Sequence, residues 1–157
     1  MNRRTLLIGG AAALTTTAAA ASLLLPRQLA PALTFTRDGL ALGGTDPVAY
    51  FTHARPMGGD PALTHEWADA TWRFISEESR AAFVEDPEAF APQYGGFCAW
   101  AVAEKGELYS TQPENWAIVD GKLYLNFNDD VQAMWDADRA GFIRTADMKW
   151  PRILAEA

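Results

Sequence analysis

The thiol and imidazole side chains of this chain, the ones best suited to a soft metal ion or to nucleophilic work, are few: a single cysteine, Cys98, and two histidines, His53 and His65. Cys98 lies in Pro92-Gln-Tyr-Gly-Gly-Phe-Cys-Ala-Trp-Ala-Val102. Gly95 and Gly96 open backbone angles closed to other residues and let another segment approach closely. A thiol held there is either a small packed hydrophobe or a fixed soft donor, suited to Cu(I) and also to zinc. His65 sits in Leu63-Thr-His-Glu-Trp67. Strand alternation puts it on the face of Leu63 and Trp67, so it points inward. It is then a core histidine, or a second donor if its ring comes near Cys98. Asp46 lies in a Gly-Gly-Thr-Asp-Pro turn cluster, where a carboxylate ordinarily bonds nearby backbone N–H groups. Tyr50 follows as a core aromatic with one hydrogen bond to make. His53 and Met57 share a loop, as two solvated residues or as a loop copper site with a thioether donor.

Enzyme signatures are thin. There is no Gly-x-Ser-x-Gly, no Cys-x-x-Cys and no phosphate-binding glycine loop. Cys98 and His65 could form a thiolate–imidazolium couple, but no spacing supplies a third, orienting group. The acid pairs Glu77/Glu78 and Asp129/Asp130 read as helix-start acids.

The elements that must position these residues are short. Leu63–Trp67 and Thr71–Ile75 predict a hairpin, with Trp72 and Phe74 on its inner face. Ser76 predicts a helix start, and Asp86-Pro87 a further capped turn. Val48–Phe51 and Phe97–Val102 read as strands. Trp116–Val119 and Lys122–Phe127 flank Asp120-Gly121, a preferred two-residue hairpin turn. Asn128 predicts another helix start, Gly141 its end, and Phe142–Lys149 a separate helix before a restart at Trp150-Pro151. The fold class is α+β: a small antiparallel sheet of short hairpins, an inserted helix and a helical C-terminus.

Residues 1–32 read as a separate segment. Asn2-Arg-Arg-Thr-Leu-Leu7 precedes an uncharged Ala/Thr/Leu run, which has the form of an export signal. The arginine pair followed by apolar residues resembles a twin-arginine signal. The expectation is export to the periplasm by the twin-arginine machinery. Cleavage would follow Ala18-Ala-Ala20 or Ala30-Pro-Ala32; uncleaved, the segment would serve as a membrane anchor. Residues 33–157 are then one domain. Three of the 13 Lys and Arg residues, and none of the 20 acids, fall before Leu33, so the domain carries about −10. That charge repels phosphate backbones and argues against nucleic acid as a partner. One cysteine also excludes an internal disulfide.

Taken together, Leu42-Gly-Gly-Thr-Asp-Pro-Val-Ala-Tyr-Phe51, Thr64-His-Glu-Trp67, Trp72-Arg-Phe74, Tyr94-Gly-Gly-Phe-Cys-Ala-Trp-Ala-Val102 and Val119-Asp-Gly-Lys-Leu-Tyr-Leu-Asn126 resemble the YHS-domain proteins, in particular the exported bacterial ones with a twin-arginine signal. The resemblance covers nearly all of residues 33–157. It implies a metal-binding accessory role, since such domains also occur beside metal-transporting ATPases. By position the implied metal residues are Cys98, His65, Asp46 and Tyr50, with copper or zinc as the ion and a carrier, sensor or accessory function. The family tends to have Tyr where this chain has Phe97, so a hydroxyl is missing next to the thiol. Two other readings stand beside it. One is a binding module for a small ligand or a protein, with the aromatic surplus lining a pocket and Cys98 structural. The other is a thiol-dependent enzyme.

Overall fold

A computed structural model describes residues 33–157. The twin-arginine-like segment, both cleavage positions and the anchor reading lie outside the described residues. No helix among the described residues is long and apolar enough to cross a membrane.

The molecule is mixed α and β. Strands β1 (Thr36–Arg37), β2 (Leu40–Ala41), β3 (Asp60–Trp67) and β4 (Ala70–Phe74) form one sheet in the order β1-β2-β4-β3. β1/β2 and β3/β4 pair antiparallel, but β2 and β4 pair parallel through Leu40 and Thr71, so the sheet is not purely antiparallel as expected. The second sheet is the hairpin β5 (Trp116–Val119) and β6 (Lys122–Leu125), turning at Asp120-Gly121.

Among the described residues six α-helices are inserted: α1 (Pro47–Thr52), α2 (Glu77–Glu85), α3 (Pro87–Phe90), α4 (Ala99–Glu104), α5 (Asp129–Asp136) and α6 (Arg139–Glu156). Their starts follow from side-chain caps. Ser76, Asp86, Asn128 and Asp138 each accept a backbone N–H of the first turn. Three expectations change. Val48–Phe51 is helix α1, because Asp46 caps it and Pro47 fits its first turn. Phe97–Val102 is extended only at its start and then helical as α4. Gly141 ends nothing: it lies in the first turn of α6, where any Cβ would collide with the Asp138 cap. α6 then runs on through Pro151, which is exposed and takes the place of a backbone donor on the solvent side.

The core has two parts, and the β5/β6 hairpin separates them. Alternation sends Leu123 and Leu125 to the first part, with Trp72, Phe74, Phe83 and Tyr50. It sends Ala117 and Tyr124 to the second, with Tyr94, Val102, Trp135 and Ile153. The first part is the packing of the four-stranded sheet against α1 and α2. The second is α4 packed against α5 and α6. One hairpin therefore seals two cores, which is why its apolar run lacks a solvated face.

Candidate functional site

Asp46 and Tyr50 both lie on the first core. Asp46 is fully buried. Its Oδ1 accepts the Val48 N–H at 2.8 Å, and its Oδ2 accepts the Ile75 N–H at 2.8 Å and the Ser79 hydroxyl. The carboxylate thus joins α1, the end of β4 and α2. Tyr50 packs edge-on to Trp116 with ring centroids 5.2 Å apart, and its hydroxyl donates to the Pro113 carbonyl at 3.0 Å. Burial, reinforced by the charge of Glu114, pushes its phenol well above the usual range.

His65 lies on β3, an outer strand of its sheet, with Leu63 and Trp67 half-buried on the same face as expected. Its ring faces the edge of Phe83 at 6.4 Å. His53 is exposed, with Nδ1 2.8 Å from the Thr52 hydroxyl oxygen, and Met57 is half-buried.

Cys98 belongs to the other half. It is fully buried at the residue that precedes α4. Its N–H donates to the Tyr109 carbonyl at 3.0 Å, and its Sγ lies 3.6 Å from Asn126 Oδ1. That oxygen also accepts the Trp100 N–H at 3.1 Å, while Asn126 Nδ2 donates to Gln132 Oε1 at 3.0 Å. Burial pushes the thiol pKa up, and neighbouring backbone N–H groups of Ala101, Phe127 and Trp100 offset only part of this. A nucleophilic cysteine needs the opposite shift and access to solvent.

No hydrogen bond joins any two of Cys98, His65, Asp46 and Tyr50, and each has partners of its own. Among the described residues no group of three or more His, Cys, Asp or Glu side chains could hold a metal ion. Asp46 spends its oxygens on three protein donors.

One of several concave features among the described residues lies at the seam between the two cores. A cavity of about 160 Å³ is lined by Trp67, Trp72, Trp150, Leu33, Leu154 and neighbouring small residues. Trp67 and Trp72 come from the β3/β4 hairpin and Trp150 from α6. A second lobe of about 390 Å³ adjoins it, sharing Trp67, Ala91, Pro92, Gly95 and Trp150 and adding Glu88, Gln93, Tyr94 and Lys122. Trp72 is pinned by its indole N–H donating to the Trp67 carbonyl at 2.9 Å. Trp150 is held edge-on to Tyr94 at 5.7 Å, and Tyr94 in turn donates to Asp147 at 2.8 Å. The walls are therefore fixed by hydrogen bonds and ring packing before any ligand arrives.

Sequence reasoning missed two things here. Asn126 was legible as the polar residue closing an apolar run in which alternation left no solvated side. Trp150 carried no signal for its position, because only the unbroken course of α6 brings it to Trp67. Compared with protein families, curated proteins and solved structures, the chain matches no family model, no curated protein and no solved structure.

Proposed function

We propose that this chain is an exported, YHS-like accessory domain that binds a small molecule with an apolar ring or branched group in the Trp67–Trp72–Trp150 groove, and that Cys98 is a structural residue. The groove carries this reading: three tryptophans converge on a cavity about the size known to admit a single benzene ring. Export rests on the Arg3-Arg4 signal pattern, and YHS-like character on the sequence resemblance. A thiol enzyme is disfavoured because Cys98 is fully buried, its pKa is raised, and its side-chain partner is an amide rather than an imidazole.

The test uses the exported chain with benzyl alcohol as the apolar probe, followed by the indole N–H resonances in NMR. Binding should shift Trp67 and Trp150 and leave Trp116 and Trp135 in place. Trp150→Ala should weaken it at least tenfold. Absence of shifts up to millimolar probe would overturn the reading. So would tight, stoichiometric Cu(I) or Zn(II) binding abolished by both Cys98→Ser and His65→Ala, which would restore a metal centre.

A further inference from the structure

The groove is polarised, and the polarity specifies a ligand. Its narrow lobe is tryptophan, leucine and small apolar side chains. Its wide lobe carries one acid, Glu88, one base, Lys122, and the amide of Gln93. Glu88 and Lys122 are exposed, and neither takes part in an ion pair among the described residues. Both line this lobe, Glu88 from α3 and Lys122 from the start of β6.

We infer that the groove takes a zwitterionic amphiphile, a free α-amino acid with an aromatic or branched apolar side chain. The inference rests on the binding reading above and gives that site its ligand class. The side chain occupies the narrow lobe. The carboxylate faces Lys122 and the ammonium faces Glu88. A ligand with only one charge meets one favourable and one unfavourable group at the mouth, so the two effects offset. A neutral ligand gains from neither. Only a ligand carrying both charges gains from both. The domain's charge of about −10 would otherwise draw simple cations to any surface. Lys122 at the mouth counters that pull.

Four probes of the same ring separate the possibilities: L-phenylalanine, 3-phenylpropionate, phenethylamine and benzyl alcohol, titrated into the exported chain and followed by the Trp67 and Trp150 resonances. L-phenylalanine should bind about fivefold tighter than either singly charged probe, as expected for one exposed charge pair. Lys122→Gln should weaken L-phenylalanine and phenylpropionate about three- to fivefold and leave phenethylamine unweakened. Glu88→Gln should do the reverse. Both side chains are exposed, so these variants fold. If all four probes bind equally, or the two variants weaken them alike, the zwitterion assignment is wrong while groove binding stands. If none binds, the binding reading itself falls.

Discussion

Leu42-Gly43-Gly44 and Tyr94-Gly95-Gly96 are one turn used twice. All six residues have positive φ, at 52, 63 and 84° in the first and 54, 62 and 83° in the second. In each, the first residue's carbonyl accepts the N–H three positions on, from Thr45 or Phe97. In each, the residue after that donor, Asp46 or Cys98, is the N-cap of a six-residue helix. The turns also meet: Phe35 donates to the Gly95 carbonyl and accepts from the Leu42 N–H. The difference lies in the side chain placed at the cap. Asp46 brings a carboxylate that satisfies three donors and ties three elements together. Cys98 brings a thiol that makes no cap bond and touches Asn126. The same backbone device therefore serves once as a polar fastener and once as a packed plug. The residue most suggestive of chemistry stands in the second.

Cutting the fastener should produce the largest effect. Asp46→Ala strands the Val48 and Ile75 N–H groups and the Ser79 hydroxyl, and hydrogen bonds to a charged acceptor contribute about 1.5–3 kcal/mol each. Partial rescue by water leaves an expected loss of about 4 kcal/mol. Cys98→Ala removes one sulfur from a packed site and should cost about 1 kcal/mol. Denaturant midpoints of the two variants test this directly. Equal losses would mean that the two caps do the same job, and the contrast would collapse.

The middle glycines sharpen the comparison with the backbone held constant. Gly43 and Gly95 have nearly the same φ, so alanine meets the same left-handed penalty at both. A Cβ at Gly43 meets nothing nearer than Arg37 side-chain carbons at 3.7 Å. At Gly95 it would run into the Leu33 carbonyl, which is backbone and cannot swing away. Gly43→Ala should cost about 1 kcal/mol and Gly95→Ala about 3. Because Leu33 and Gly95 line the groove, Gly95→Ala should also weaken benzyl alcohol binding, which Gly43→Ala should leave intact. A Gly95 variant as stable as the Gly43 variant would show that Leu33 is not held against the turn.

What the sequence disclosed follows from length scale. The two hairpins were readable because a two-residue turn and period-2 alternation are local signals, complete within ten residues or so. Helix starts at Ser76, Asp86 and Asn128 were readable for the same reason. α1 and α4 were not, because six residues hold fewer than two turns and cannot display a 3.6-residue period. The clue is present at Asp46-Pro47, the same dipeptide as the capping Asp86-Pro87. β-branched and aromatic content in Val48–Phe51 masked it. The inward face of His65 was correctly placed by alternation, but which core it entered depends on the sheet order β1-β2-β4-β3. The groove was least legible. Its walls come from segments about eighty residues apart, and only the docking of α6 on α4 brings Trp150 to the same groove as Trp67.

Alkaline pH gives the smallest effect, and only its first part, the thiol's, belongs to one half alone. Cys98, Tyr94 and Tyr124 titrate in the second half and Tyr50 in the first, and burial raises each of them. Tyr94 is raised further by its hydrogen bond to Asp147 and by that carboxylate's charge. Tyr124 is pushed up to about 12, with the charges of Asp147 and Asp120 adding to burial. In each case folding favours the neutral form, so the folded pKa stands above the unfolded one. The associated stability is complete below the unfolded pKa and is lost as pH rises toward the folded pKa. The ordinary values are 9.0 for the thiol and 10.0 for the phenols. Stability should therefore be insensitive to these groups at neutral pH. It should begin to fall just above pH 9 as the unfolded thiol ionises, and fall faster above 10 as the tyrosines join. Cys98→Ala should remove the first part of the fall and keep the second. Denaturant midpoints across this range, followed with tyrosinate absorbance, separate the two. If wild type and Cys98→Ala superimpose between pH 9 and 10, the thiol is not held protonated by the fold, and the second turn is no longer a plug.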